Sequence, residues 1–187
     1  RSVKEVRTYN DSMEVAQCKL VMGFRAGTAV PQQEVMAARL MTALYGGTPH
    51  SKLFLNVREK LSLCYYCSAR YDRQKGILLV ESGVEQKNIE KARDEILRQL
   101  QEMQKGNFDE SEIQAAKRSV ANSFVSACDY LGGLESWYLT QALEGTLHTP
   151  QESAAQIGQI TREQIVETAK RVTLDTIYTL TGKEAEA

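Results

Sequence analysis

The sequence has few histidines and no long apolar run, and both absences exclude classes of function. It contains two histidines in 187 residues, His50 and His148. Neither has a second His or a Glu at helical ligand spacing, and neither H-E-x-x-H nor the inverted H-x-x-E-H occurs, so no catalytic zinc site is predicted in this chain. No apolar stretch approaches the roughly 18 residues that a membrane span requires, and the first twelve residues contain no apolar signal region. We therefore expect a soluble protein that does not enter membranes.

An excess of charge of one sign is also missing. The chain has 23 basic and 24 acidic residues, giving a formal net charge of -1. Nucleic-acid-binding proteins and polybasic membrane-surface proteins usually carry a basic excess, so neither class is favoured. The stretch "YGGTPHSK" lacks the G-x-x-x-x-G-K spacing of a phosphate-binding loop, and no G-x-S-x-G motif surrounds a serine.

Four cysteines raise the question of redox or metal chemistry. Cys64 and Cys67 have C-x-x-C spacing, but the run "LCYYCSAR" alternates as a strand does. Positions three apart on a regular strand point to opposite faces, so we expect the two thiols not to converge on one ion. A cysteine enzyme built on this pair is the third and weakest hypothesis. Buried reduced thiols are the simpler interpretation, and they favour a cytoplasmic setting.

The first half of the chain predicts a strand, two helices and a hairpin. Alternation in "VAQCKLVMGF" predicts a strand with Cys18, Leu20, Met22 and Phe24 on its buried face. Helical spacing over 32–44 predicts a helix that ends at the glycine pair 46–47. In the second helix, Thr48 is the expected cap, followed by Pro49, and the apolar stripe is Leu53, Phe54, Val57 and Leu61. From residue 63 the period becomes two, which places Tyr65, Cys67, Ala69 and Tyr71 on one face before "DRQKG" turns the chain into "ILLVESGV".

The second half predicts mainly helices. A helix over 88–105 ends at Gly106, and Asp109 is expected to cap the next helix, whose apolar face runs from Ile113 to Leu131 before Gly132 and Gly133 interrupt it. "LESWYLTQALEG" continues as helix to Gly145. Thr149 with Pro150, and Thr161 with Gln164, predict two further helix starts, and "DTIYTLTG" predicts a last strand. This order indicates an α+β fold in which helices cover an antiparallel sheet.

Arg58 and Tyr65 lie seven residues apart across the junction of the second helix and the hairpin. Taken alone, Arg58 is an ordinary surface charge and Tyr65 a half-buried sheet residue. The motif around them changes this interpretation.

The segment "GGTPHSKLFLNVREKLSLCYYCSARYD" closely resembles the noncatalytic half of the insulinase and pitrilysin family of zinc metallopeptidases. The matching positions are the glycine pair, Ser51, Leu53, Phe54, Val57, Arg58, Glu59, Lys60, Leu63, Tyr65 and Tyr66. The resemblance extends more loosely over nearly the whole chain. The runs "KLVMGFR" and "PHSKLF" are most similar to bacterial members, some of which lack the zinc motif even in their first domain.

This resemblance implies a fold, a partner and two binding residues. The fold would be the α+β sandwich of one metallopeptidase half, of the mitochondrial processing peptidase type. Residues 1–187 would form a single domain, the C-terminal half of a longer two-domain protein. Zinc and the catalytic residues would come from a homologous domain or subunit, and none would lie in this chain. Arg58 and Tyr65 would bind an extended peptide substrate in the chamber between the two halves.

Two functions from different classes remain open at this point. In one, the chain is the noncatalytic half of a working peptidase that closes the chamber and binds peptide. In the other, it is a catalytically inactive scaffold or a peptide-binding subunit. An intact inverted zinc motif in the sequence on the N-terminal side would favour the first, and its absence would leave an inactive subunit or one that borrows zinc from a different chain. The chain alone is expected to be inactive in either case.

Overall fold

Five strands form one sheet in the order β1-β5-β2-β4-β3 in the computed structural model, which describes residues 4–26, 34–143 and 145–182. The strands are β1 (Arg7–Met13), β2 (Cys18–Arg25), β3 (Cys64–Asp72), β4 (Ile77–Val84) and β5 (Thr173–Gly182). The α-helices are α1 (Val35–Thr42), α2 (Ile89–Lys105), α3 (Glu110–Val125), α4 (Leu131–Leu143), α5 (Pro150–Gly158) and α6 (Arg162–Lys170). Two π-helical segments, Ala43–Gly47 and Leu53–Lys60, follow α1, and short 3₁₀ turns at Gln86–Asn88 and Ser126–Asp129 complete the helical structure.

One face of the sheet is buried beneath the helices. Along β2 the predicted residues Cys18, Leu20, Met22 and Phe24 are buried, and their neighbours in sequence are only partly covered. Alternate residues of β4 share this core with the inward faces of α1, α2, α3 and α6. The opposite face is less covered, so the period-two pattern reports a sheet with one packed side. This confirms the predicted α+β class with helices on a sheet.

The sheet contains a strand that the sequence pattern did not predict. All seven residues of β1 are exposed, so no alternation of polar and apolar residues marks it. It pairs in parallel with β5, whereas β2–β4, β2–β5 and β3–β4 are antiparallel. Asp175 on β5 holds this edge in place by binding Arg7 of β1 and Arg25 of β2. The sheet is therefore mixed, with one parallel edge on the predicted antiparallel arrangement.

Most predicted helix boundaries are confirmed by their caps. Asp109 Oδ1 accepts a hydrogen bond from the backbone N–H of Glu112 at 2.9 Å, and the Glu112 side chain accepts one from the N–H of Asp109 at 2.7 Å. Thr149 and Thr161 form the same reciprocal boxes with Glu152 and Gln164. Gly106 ends α2 with a φ of 77°, a left-handed conformation that glycine adopts without strain.

Two predicted helical details are wrong. Thr48 does not cap the second helix; its hydroxyl donates to the carbonyl of Ala43, and Ser51 Oγ instead accepts from the N–H of Phe54 at 3.4 Å. That helix is π rather than α, so the chain is wound wider than the predicted stripe assumes, and Leu61, which follows it, is 45% exposed.

The predicted long helix after Asp109 is also shorter than its apolar pattern suggested. The chain leaves α3 at Val125 and passes through a 3₁₀ turn, so Leu131 begins a separate helix and is 86% exposed. Gly132 and Gly133 lie inside α4 and do not interrupt a helix. A Cβ on Gly133 would stand 2.6 Å from the carbonyl oxygen of Ala127, so this glycine permits the close turn between the two helices.

Candidate functional site

Tyr65 lies at an irregularity of β3, beside the end of the π-helix that carries Arg58. Cys64 pairs with Val84 and Tyr66 with Gly83, so Tyr65 is an extra residue with no ladder partner on β4. This is a β-bulge, which places two residues of one strand opposite one residue of the other and redirects the side chains around it. Cys67, Ala69 and Tyr71 face the core as predicted. The prediction that Tyr65 shares their face is wrong, because the bulge shifts the alternation by one position.

The bulge turns Tyr65 outward. Its side chain is 63% exposed, and its phenol has no hydrogen-bond partner within the described part of the chain. It lines a small cleft of about 130 Å³, whose other walls are Ser62, Leu63, Cys64, Glu85 and Asn88. The phenol is therefore available to a molecule that approaches this end of the sheet.

Arg58 is also exposed, and buried neighbours fix its backbone. Leu53 and Val57 of the same segment are completely buried in the core, and Lys52 Nζ contacts Glu112 Oε1 on α3 at 2.7 Å. The guanidinium of Arg58 lies over the ring of Phe54, with its central carbon 4.6 Å from the ring centroid. Its Nε is 3.5 Å from Glu59 Oε1. The side chain thus extends along the outer surface of the helix with donors that remain accessible.

The turn between these two residues is conformationally strained. Ser62 has a φ of 50°, in the left-handed region, and the N–H of Leu63 donates to the carbonyl of Val57 at 3.0 Å. A non-glycine residue in this region costs roughly 1 kcal/mol or more. This strained residue lies in the short connection between the 53–60 helix and β3. The short connection keeps Arg58 and Tyr65 at the same end of the sheet.

The same bulge brings Cys64 and Cys67 to one face, contrary to the sequence prediction. Their ladder partners, Val84 and Ser82, are two positions apart and both buried in the core. A hydrogen bond from the Cys67 thiol, with smaller contributions from Ser82 and the charge of Arg58, lowers the pKa of Cys64 to about 7. The same contact and burial raise the pKa of Cys67. The prediction of divergent thiols failed because it assumed a regular strand.

The described residues do not fit a zinc ion. No group of three or more His, Cys, Asp or Glu side chains within 4–26, 34–143 and 145–182 is arranged to hold a metal. His50 is exposed in the turn before the 53–60 helix, and His148 is half-buried before α5, where its carbonyl accepts from the Trp137 indole at 2.9 Å. None of the helices in these ranges combines the length and apolarity needed to cross a bilayer.

Comparison with known proteins identifies the family. The sequence model described as "Peptidase M16 inactive domain" matches residues 2–120, more than half of the chain. The chain belongs to the peptidase M16 family, as an inactive domain. This confirms the resemblance to the noncatalytic half of the insulinase-type metallopeptidases. The match covers the segment that contains Arg58, Tyr65 and both clustered cysteines.

Curated relatives of this M16 domain are longer proteins. "Probable inactive metalloprotease YmfF" of Bacillus subtilis is 37% identical over 174 residues, which cover 93% of this chain and 41% of the relative. An "uncharacterized zinc protease" of Rickettsia bellii is 23% identical over 164 residues, covering 85% of this chain and 39% of that protein. The chain thus spans about two fifths of the length of the curated relatives it matches.

A solved structure has the same fold as this M16 domain over its whole length. A conserved protein from Enterococcus faecalis superposes with a TM-score of 0.91 and 31% identity, covering 100% of this chain and 44% of that one. The inactive peptidase domain of a putative zinc protease from Bordetella parapertussis superposes with a TM-score of 0.75 at 12% identity, covering 94% of this chain and 99% of that one. At that identity the second likeness shows the fold alone.

Proposed function

We propose that this M16 inactive domain is the noncatalytic half of a zinc metallopeptidase, which closes the chamber and binds an extended peptide. The zinc would be supplied by a homologous domain or subunit, in keeping with a longer, two-domain protein that acts in the cytoplasm. The observation that carries the proposal is the outward Tyr65 at the bulge. Its phenol and the accessible guanidinium of Arg58 are presented at one end of the sheet in a domain of this family.

The chemistry of these two groups suits the backbone of a peptide. An extended peptide exposes carbonyl oxygens that need donors once the chamber excludes water, and leaving one unpaired costs on the order of 1 to 3 kcal/mol. Arg58 supplies a permanently charged fork of N–H donors, and Tyr65 supplies a phenolic O–H. If either donor faces the carbonyl that gains charge during hydrolysis, it stabilises the transition state more than the bound substrate. No step of hydrolysis is assigned to this chain.

Two substitutions test the proposal in the full-length protein together with its zinc-bearing half. Arg58→Ala and Tyr65→Phe are each expected to reduce kcat/KM for peptide hydrolysis, by roughly tenfold to a hundredfold if the donor meets the developing charge. Two control variants are suitable. Arg70→Ala removes an exposed arginine of β3, the strand that carries Tyr65, and Tyr66→Phe removes the phenol hydroxyl next to Tyr65. Equal turnover of all four variants, with unchanged thermal stability, would contradict the assignment of Arg58 and Tyr65.

The alternative is an inactive scaffold or peptide-binding subunit of the same fold. The name of the Bacillus subtilis relative, an inactive metalloprotease, favours it. Metal analysis of the full-length protein, purified with whatever accompanies it, separates the two functions. Stoichiometric zinc is expected for the peptidase. If zinc is absent, binding of a fluorescent extended peptide should still weaken in Arg58→Ala and Tyr65→Phe when the domain binds peptide, and should be undetectable for a pure scaffold.

A further inference from the structure

We propose that Cys64 and Cys67 form a reversible intramolecular disulfide, so that the bulge of β3 is a thiol-based redox site. The two residues flank Tyr65 and Tyr66, and the extra residue of the bulge places them on the same face of the strand. All four cysteines of the chain are free thiols in this structure.

The ladder register supports a bond between these two sulfurs. Cys64 and Cys67 oppose Val84 and Ser82, which are two positions apart on β4, so three steps along β3 cover the length of two. Two positions on a strand span about 6.6 Å. Disulfides join residues whose Cα atoms are roughly 4.4 to 6.8 Å apart, so the pair lies within reach at the upper end of that range. On a regular strand the same spacing would direct the two sulfurs to opposite faces of the sheet.

The two thiols have different environments that suit different roles. Cys64 is half-buried and lines the small cleft beside Tyr65, whereas Cys67 is 4% exposed and faces the core. The lowered pKa of Cys64 provides a substantial thiolate fraction at neutral pH, and the thiolate is the nucleophile in disulfide exchange. Glu85 also lines the cleft, opposing the favourable charge of Arg58. Cys64 is thus the attacking thiol and Cys67 the resolving one.

The oxidant is a low-molecular-weight disulfide. The Cys64 thiolate attacks one of its sulfurs, forming a mixed disulfide and releasing one small thiolate. Cys67 then attacks the sulfur of Cys64, and the second small thiol leaves with the proton of Cys67. The first small thiolate takes up from solvent the proton that Cys64 released when it ionised. The two cysteines lose two electrons and two protons, and the small disulfide gains both and becomes two thiols.

Trypsin provides a direct test, because cleavage after Lys60 and Arg70 releases one peptide, "LSLCYYCSAR", that contains both cysteines and neither Cys18 nor Cys128. The full-length protein is equilibrated with mixtures of reduced and oxidised glutathione, and exchange is stopped with acid. The free thiols are then alkylated in denaturant, and the protein is digested and analysed by mass spectrometry. We expect this peptide to change cooperatively from two alkyl labels to none, with the mass of an internal disulfide, as the mixture becomes more oxidising.

Three variants make the result decisive. Cys67→Ser should stop the reaction at a glutathione adduct on Cys64, and Cys64→Ser should suppress adducts on the buried Cys67. Cys128→Ser, which alters a half-buried thiol elsewhere, should leave the titration of the 61–70 peptide unchanged. Two labels on this peptide at every ratio, or a persistent glutathione adduct in the unaltered protein, would overturn the proposal.

The consequence for peptide binding rests on the proposed function, but the redox test does not. A bond between Cys64 and Cys67 would enclose Tyr65 in a small ring and restrict the phenol that we assign to peptide binding. Peptide affinity compared between the oxidised and reduced protein measures that consequence. If the disulfide forms without altering peptide affinity, the redox proposal stands. That result would count only against the proposed role of Tyr65 in peptide binding.

Discussion

Gly46 allows the end of the first helical stretch to touch the strand that carries Tyr65. A Cβ at this position would lie 2.7 Å from Ala69 Cβ, 2.7 Å from Leu53 Cδ1 and 2.9 Å from the backbone nitrogen of Ala69. Two of these atoms belong to β3 and cannot rotate away. The missing side chain therefore sets the distance between the helical layer and the sheet directly behind the candidate site.

Gly46→Ala is expected to destabilise the protein by about 1 to 3 kcal/mol, because overpacking must displace β3 or Leu53. Urea unfolding followed by circular dichroism measures this change. Gly158→Ala is the matched control, since it is at the end of α5 with no atom within 4 Å of the added methyl group. Equal stability of the two variants would show that the contact with Ala69 relaxes freely.

The sequence predicts some of these single residues and not others. The glycine pair at 46 and 47 was predicted as the end of a helix, and the helical stretch does end at Gly47. The contact of Gly46 with Ala69 joins residues distant in sequence, so no local pattern encodes it. The outward turn of Tyr65 was missed for a related reason: a bulge leaves the composition of a strand unchanged and alters only its pairing.

Among the elements, β5 is joined to both neighbours by backbone ladders and also by one carboxylate, that of Asp175. Asp175 accepts from the hydroxyl of Thr176 at 2.7 Å, from the Arg7 guanidinium of β1, and from Arg25 Nε of β2 at 3.2 Å. These bonds lower the pKa of Asp175 from 3.8 to about 2, and the hydrogen bond from Thr176 makes the largest contribution to this shift. The charge of one residue thus connects three strands at one end of the sheet.

Asp175→Asn is therefore expected to lower stability near neutral pH and to have progressively less effect in acid. Because the folded-state pKa is below the unfolded one, the stabilisation is fully present above about pH 4 and is lost as the pH falls towards 2. Thermal unfolding of both proteins between pH 7 and pH 2 measures the converging curves. Asp94→Asn, which removes only an exposed ion pair with Arg93 on α2, should stay within about 0.5 kcal/mol of the parent protein throughout. A constant difference across the range would show that the lost stability is independent of the charge.

Elements with strong local signals were predicted well. The three helices that begin at capping boxes each carry both partners within four residues of sequence, so the signal is complete before the chain folds. By contrast, β1 is an exposed edge strand that pairs with β5 and with no other strand of the described residues. The 53–60 helix is a π-helix whose Leu53 and Val57 are packed in the core. Their conformations are decided by tertiary contacts, which a single sequence does not display.

At the scale of the whole molecule, the surface around α4 is unusually apolar. Its exposed large side chains are Val125, Tyr130, Leu131, Tyr138, Leu139, Leu143 and Leu147. A concentration of exposed apolar side chains in one region commonly marks an interaction site. Since the curated relatives are more than twice as long as this chain, we propose that the remainder of a longer protein covers it.

The double substitution Leu139→Lys and Leu143→Lys tests this expectation. Both side chains are more than half exposed, so the stability of the domain itself should change by no more than about 0.5 kcal/mol. Association with the remainder of the protein, supplied as a separate chain and followed by size-exclusion chromatography, should weaken. Lys91→Glu, at an exposed site on α2, controls for the change of surface charge. Undiminished association would leave this face without an assigned partner.

The parallel pairing of β1 with β5 has a consequence for synthesis on the ribosome. Arg7 pairs with Thr176, so β1 cannot pair with β5 until almost the entire domain has been translated. Until β5 emerges, one edge of β2 is also unpaired, because β2 precedes β5 by about 150 residues within this domain. Such an open edge invites pairing with other nascent chains. A ribosome that stalls shortly before residue 173 would therefore carry a chain in which β2 exposes an unpaired edge to other nascent chains.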